Sequence, residues 1–204
     1  TELMRIINEA DLVTPDGSGI VWAVQKLTGQ QLDRVAGVDL MQKLCEQAHH
    51  TGWRIFFLGG APGVAEEAGA KLSEQYDGLE IVGVRHGYFS AEEEEALITE
   101  INASGADILF VGMGAPRQEF WLDKYRELLQ VPVAIGVGGS FDVAAGRVKR
   151  APVFMQKLGL EWLWRLLKEP WRIKRMMALP RFTRLVSKDY KRRARLVQQH
   201  QNKS

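Results

Sequence analysis

Cysteine is almost absent from the chain, histidine is scarce, and no apolar run approaches the length of a membrane span. With Cys45 alone, no disulfide can form within the 204 residues, and that usage fits a reducing, cytoplasmic setting. Cys45 lies in an apolar-periodic segment, which reads as a buried structural thiol rather than a nucleophile. His49, His50, His86 and His200 show no zinc-type spacing, so no metal is expected. A spanning helix needs about 18 or more consecutive apolar residues, and no signal-peptide pattern opens the chain. The phosphate-handling signatures are missing as well. There is no G-x-x-x-x-G-K-[ST] and no proper G-x-G-x-x-G, so a P-loop enzyme or a dinucleotide-dependent dehydrogenase is poorly supported. No D-x-D occurs, which removes the carboxylate pair that would hold a metal on a diphosphate. No cofactor is called for.

What the chain does have is a divided charge. Residues 147–204 carry 17 Lys/Arg against 3 Asp/Glu, a local net of +14, while the preceding 146 residues net −12. A basic module behind an acidic body implies an anionic partner surface. Trp162, Trp164 and Trp171 fall among five basic residues that include Arg165, Arg172, Lys174 and Arg175. Tryptophan, leucine and methionine interleaved with Lys/Arg describe an interfacial helix on an anionic membrane. Nucleic acid would welcome the charge too, but the aliphatic content exceeds what tracking phosphates requires. Packing of the apolar face on the core or on another copy of the chain is the third reading.

Between these features the pattern alternates. Short helices are expected over residues 3–11, 18–27 and 39–50, the second capped by Ser18 and the third ended by Gly52. Strands follow at 54–58, 80–84, 107–111 and 131–137, with helices at 63–76, 90–102 and 117–129 between them. Ser90 with Glu93 forms a capping box. Strand–helix–strand repetition with near-continuous apolar strands means a parallel sheet with helices on both faces, an α/β fold of Rossmann-like type. Residues 1–146 then form the core and 147–204 a basic helical appendage. Glycine-rich loops follow three of the strands, at 59–63, 112–116 and 136–140, each leading into a helix. In such sheets ligands sit beyond the carboxyl ends of the strands, and helix N-termini favour phosphate. A nucleotide or sugar-nucleotide pocket is the first expectation.

Gln118 and Glu119 open the helix after the second of these loops, and Asp142 follows Gly138-Gly139-Ser140. Asp16, between Pro15 and Gly17, is delivered to the mouth of a helix. By local pattern alone it is a turn or cap aspartate. His86 at a strand end reads as a loop histidine with the alternative of a base.

The ordered blocks VTPDGSGIVWA, RVAGVDLM, FFLGGAPGVAEEA, HGYF, FVGMGAPRQEFW, GVGGSFDVAAGRVKRAP and GLEWLWRLLKEPWRIKRMMALPRF resemble the WecG/TagA/CpsF glycosyltransferases. The resemblance runs from about Leu3 to Phe182. It implies an inverting, metal-independent hexosyltransferase that moves N-acetylmannosamine, or a related hexose, from a UDP-sugar. The implied acceptor is a polyprenyl-diphosphate-linked GlcNAc, in wall teichoic acid or surface polysaccharide synthesis. By this resemblance Asp16 is the general base, and Arg34, Gly114, Gln118, Gly138, Gly139, Ser140 and Asp142 belong to the pocket. Arg165, Arg172 and Arg175 would balance diphosphate charge, while Trp162, Trp164, Trp171 and Lys174 would meet the membrane. The implied location is peripheral, on the inner face of the cell membrane, with homo-oligomerisation left open and no nucleic-acid partner. Family members carry a further N-terminal segment with early strands and a Thr-Pro-Asn-type pocket stretch, for which this sequence shows no counterpart. The rival reading is a non-catalytic nucleotide-binding module with a basic tail for nucleic acid or a protein.

Overall fold

A computed structural model describes residues 1–170, 173 and 177–201. Its contacts divide the chain into two compact units. Thr1–Val13 with Gly37–Lys149 forms the first, and Thr14–Ala36 with Arg150–Ser204 the second.

The first unit is a four-stranded, all-parallel sheet with helices against it. In chain order its elements are α1 (Glu2–Glu9), α3 (Gly37–Thr51), β1 (Ile55–Gly59), α4 (Val64–Gln75) and β2 (Ile81–Arg85). After a short 3-10 turn come α5 (Glu94–Ala103), β3 (Ile108–Gly112), α6 (Arg117–Tyr125), β4 (Val133–Gly136) and α7 (Ser140–Ala144). The order across the sheet is β2-β1-β3-β4. β1 pairs with β3 in register from Ile55↔Ile108 to Gly59↔Gly112.

Because strand side chains alternate between faces, β1 and β3 each feed two cores. Ile55, Phe57, Ile108 and Phe110 pack with Met41 and Cys45 of α3, Leu72 of α4 and Phe141 of α7. Phe56, Leu58, Leu109 and Val111 pack on the opposite side with Leu97 and Ile101 of α5 and Trp121 of α6. Both faces of the central strands are therefore covered, and all ten residues of β1 and β3 are buried. The outer strands depart from the expectation of complete burial. β2 is half-buried along most of its length, and Val133 of β4 is 45% exposed. Their position at the ends of the strand order gives each only one strand neighbour among the described residues.

The second unit combines α2 (Ser18–Thr28), α8 (Val153–Lys157), α9 (Glu161–Lys168) and a long α10 (Ala178–Gln201). α2 packs against α10, with Ala23 and Val186 buried. Lys26 lies over the rings of both Trp22 and Tyr190, at 5.0 and 5.6 Å from their centroids. The expected cap role of Ser18 is not the observed one. Gly17 is the N-cap of α2, while Ser18 Oγ donates to Gly159 O at 3.1 Å. Residues 14–36 are thus built into the same unit as the basic C-terminal residues.

Candidate active site

The chain runs from β1 outward to β2, then crosses to β3 on the far side of β1 and on to β4. This reversal makes the gap between the carboxyl ends of β1 and β3 the topological switch point, where α/β sheets take their ligands. Two glycines face each other there. A Cβ on Gly59 would lie 2.5 Å from the carbonyl carbon and oxygen of Gly112, and Gly59 has φ +147. Gly60 N–H then donates to Gly112 O at 3.0 Å, and Gly87 N–H to Gly60 O at 2.9 Å. The loop following β1 is thus tied by backbone bonds to the end of β3 and to the loop after β2.

The loops after β3 and β4 are joined through a side chain. Gln118, in the first turn of α6, is 5% exposed. Its Oε1 accepts the N–H of Gly114 at 3.2 Å and the N–H of Gly138 at 2.9 Å. Both glycines have positive φ, +80 and +56, conformations that side chains other than glycine adopt at a cost. Gln118 Nε2 donates to Glu119 Oε1 at 2.9 Å. The other carboxylate oxygen of Glu119 is buried and makes no hydrogen bond among the described residues.

Ser140 is buried, and its hydroxyl donates to Val137 O at 2.6 Å. Asp142 follows in the first turn of α7, half-buried, with Oδ2 3.7 Å from where a Cβ on Gly139 would stand. The first unit therefore gathers Gly114, Gln118, Gly138, Gly139, Ser140 and Asp142 at one edge of the sheet. Behind that edge, Arg147 holds Glu67 through two bonds, Nε at 2.8 Å and Nη2 at 2.7 Å. The pairing lowers the Glu67 carboxyl and raises the Arg147 guanidinium. Lys71 Nζ donates to Ala145 O at 2.5 Å, so α4 holds the segment that follows α7 at two points.

Asp16 belongs to the second unit, with Arg34. Val35 N–H donates to Pro15 O at 3.1 Å, laying residues 34–36 alongside the Thr14-Pro15-Asp16 stretch. The Asp16 carboxylate is 66% exposed, and Arg34 Nε lies 4.0 Å from its Oδ1. It does not cap α2, whose first turn bonds to the carbonyl of Gly17. Arg34 is in turn held by Glu161, the first residue of α9, through Nη2 to Oε2. Glu161 Oε1 accepts from Arg150 Nε at 3.2 Å. A chain of alternating charge, Asp16–Arg34–Glu161–Arg150, thus runs through this unit. Sequence reasoning placed Asp16 and Arg34 but missed Glu161 and Arg150, whose roles depend on contacts more than 110 residues apart in the chain for the Arg34 pair.

Arg165 stands one turn after Glu161 on α9, with Trp162 and Trp164 on the same helix. Lys168 lies over the Trp164 ring, 5.1 Å from its centroid. Trp171, Arg172, Lys174 and Arg175 lie outside the described residues. His86 serves its own turn, with Nδ1 accepting Tyr88 N–H at 3.3 Å. Cys45 is fully buried, and burial pushes its thiol up to about 12, as a structural cysteine requires. Among the described residues, no three His, Cys, Asp or Glu side chains gather as metal ligands would.

Glycine loops on a parallel sheet could serve many nucleotide chemistries, and fold alone does not choose among them. The whole sequence does. The family model for the glycosyl transferase WecG/TagA/CpsF family matches residues 1–196. The chain belongs to this family. WecG/TagA/CpsF proteins are glycosyltransferases of cell-surface polysaccharide synthesis, so the chain is a transferase of sugar from a donor to a lipid-linked acceptor. No helix among the described residues is long and apolar enough to cross a membrane.

Proposed function

We propose that this WecG/TagA/CpsF protein transfers N-acetylmannosamine, or a related hexose, from a UDP-sugar to a polyprenyl-diphosphate-linked GlcNAc with inversion and without a metal. The polymer served is wall teichoic acid or a related surface polysaccharide. In this reading Asp16 takes the proton from the acceptor hydroxyl as that oxygen attacks the anomeric carbon. The bond from that carbon to the diphosphate oxygen breaks, and UDP leaves with the electron pair. Arginines and backbone N–H groups then balance the charge that develops on the leaving diphosphate. Arg165, Arg172 and Arg175 are the side chains assigned to that task, and Arg34 is assigned to the pocket. Gly114, Gly138, Gly139, Ser140 and Asp142 are assigned to the donor.

The observation that carries the base assignment is the setting of Asp16. A cap aspartate would spend its carboxylate on helix N–H groups, whereas this one is two-thirds exposed and, among the described residues, is faced by Arg34 at 4.0 Å. The test is transfer from UDP-N-acetylmannosamine to a polyprenyl-diphosphate GlcNAc analogue. Asp16→Asn should lower kcat by about 10²–10⁴-fold with the circular dichroism unchanged. Near-normal turnover in that variant removes the base assignment. Tight UDP binding with no transfer by the wild-type chain would favour the nucleotide-binding module instead.

The membrane assignment is separate. α8, α9 and the turn between them leave Val153, Phe154, Leu158 and Leu167 each more than 60% exposed. α10 and Trp22 line an open groove of about 960 Å³ that carries Arg184, Lys188, Lys191, Arg192 and Arg195. Exposed apolar side chains on α8, α9 and the turn between them, and clustered cations on α10, are the two components that an interface of anionic headgroups and acyl chains calls for. We assign the protein to the inner membrane face on that basis.

A further inference from the structure

Gln118 is placed where a donor ligand is expected, yet its side chain is largely spent on the protein itself. One amide oxygen takes two backbone N–H groups from two different loops, and one amide hydrogen goes to Glu119. The space it crosses is kept open by the absence of a side chain. A Cβ on Gly136, the last residue of β4, would come within 2.5 Å of Gln118 Nε2. Three features of the chain therefore converge on this amide: glycine at 136, N–H groups at 114 and 138 turned toward it, and a carboxylate at 119 that accepts its N–H.

We propose that Gln118 and Glu119 are positioning residues, a latch that fixes the loops after β3 and β4 relative to each other. An amide can present either its oxygen or its NH₂ group to a given partner, and the two choices differ by a simple flip. The glycine N–H groups require the oxygen. Glu119, an acceptor on the other side, makes the opposite orientation unfavourable because it would set the amide oxygen against a carboxylate oxygen. Glu119 thereby acts on the loops through Gln118. The latch rests on the reading that these loops hold the UDP-sugar donor, and it adds that their geometry is set before the donor arrives. Such pre-ordering lowers the cost of binding.

The experiment uses the full chain with UDP as the probe. Hydrogen exchange reports the amides of Gly114 and Gly138, and calorimetry reports UDP affinity. Gln118→Met keeps the length and removes both bonding groups, and Glu119→Met removes only the acceptor. Each lost bond leaves an amide without its partner, so exchange at Gly114 and Gly138 should quicken roughly tenfold in Q118M. In E119M the same two amides should quicken by a smaller factor. Glu119→Gln keeps an acceptor oxygen and should restore protection. UDP affinity should fall in the same order, with KM for the UDP-sugar rising more than kcat falls. Unchanged exchange at both amides in Q118M and E119M overturns the latch, whatever the transfer activity. Faster exchange with unaltered UDP affinity overturns the positioning role. Failure of the wild-type chain to bind UDP while exchange responds as expected would instead count against the donor reading.

Discussion

Replacing Glu161 by alanine should loosen the second unit through two arginines at once. The Glu161 side chain is 18% exposed, and its partners Arg34 and Arg150 are 23% and 25% exposed. All three are withdrawn from bulk water enough that their pairing is worth more than a surface ion pair, yet short of full burial. A surface pair contributes about 0–1 kcal/mol, and removing one partner of a buried pair costs about 3–5 kcal/mol. The intermediate setting places the loss for Glu161→Ala at about 2 kcal/mol. Glu161→Gln, which keeps the volume and an acceptor oxygen, should cost about half as much.

The assay is urea denaturation followed by tryptophan fluorescence, because Trp22, Trp162 and Trp164 all lie in this unit. A double-mutant cycle with Arg34→Met isolates the pair. A coupling energy of about 1–2 kcal/mol that shrinks modestly between 50 mM and 500 mM salt is expected. A coupling below about 0.3 kcal/mol would refute the claim that Arg34 is held by α9. The same cycle bears on function. If Glu161 fixes Arg34, E161A should also lower transfer by allowing Arg34 to settle elsewhere, and the loss should not be additive with that of R34M.

Four further outcomes follow from the geometry. Cys45 should resist alkylation in the native chain at pH 8 and react quickly in 6 M guanidinium, since burial raises the thiol to about 12; rapid native labelling, followed by mass spectrometry, would contradict its burial. Gly83→Ala would set a Cβ 2.3–2.5 Å from the Phe56 ring and should destabilise by about 1–3 kcal/mol in urea titrations. The Glu94 carboxyl is lowered despite the opposing effect of its burial, because Lys124 and Tyr125 bond to it. Its stabilisation is therefore complete above the ordinary carboxylate value of 4.5 and is lost as pH falls through the lower folded value; Glu94→Gln should flatten the loss of stability below pH 4.5, and an unchanged pH profile would exclude this contribution. Neutralising Lys188, Lys191, Arg192 and Arg195 together should weaken sedimentation with phosphatidylglycerol vesicles at least a hundredfold, at about 1 kcal/mol per cation near an anionic surface, and unaltered sedimentation would remove α10 from the membrane assignment.

How far the sequence was readable depended on the range of the interaction. β1 and β3 are continuous apolar runs, and their burial on both faces follows from that pattern directly. The Ser90–Glu93 capping box spans three residues and is present, although it opens onto a 3-10 turn before α5 begins. α6 shows where local reading stops. The apolar pattern carries a helix to Leu129, but the helix ends at Tyr125, and the turn after it is clamped from elsewhere. Asn102 at the end of α5 donates to Leu128 O at 2.8 Å and accepts Gln130 N–H at 2.8 Å. An asparagine side chain on another element ends one segment and starts the next, and nothing in residues 117–131 signals it.

The candidate site divides along the same line. Its glycines could be found, because a loop between a strand and a helix that needs positive φ or close backbone approach must use glycine. Its cross-links could not. Gln118 reaches Gly138 across 20 residues, Ser18 reaches Gly159 across 141, and Arg34 reaches Glu161 across 127. Each of these polar side chains looks, in its own neighbourhood, like an ordinary helix-start or loop residue. Asp16 is the instructive case. Pro15 and Gly17 mark it correctly as part of a tight local structure, and local structure offers the helix N-terminus as the natural use of its charge. What frees the carboxylate is that α2 is capped by Gly17, while Ser18 is drawn away to Gly159. An aspartate that caps no helix, and is faced by an arginine that a distant glutamate holds, keeps its carboxylate available to solvent, the setting from which proton transfer is proposed. That availability is a property of the second unit as a folded whole, which is why it follows from Glu161 and Gly159 as much as from the Pro-Asp-Gly triplet.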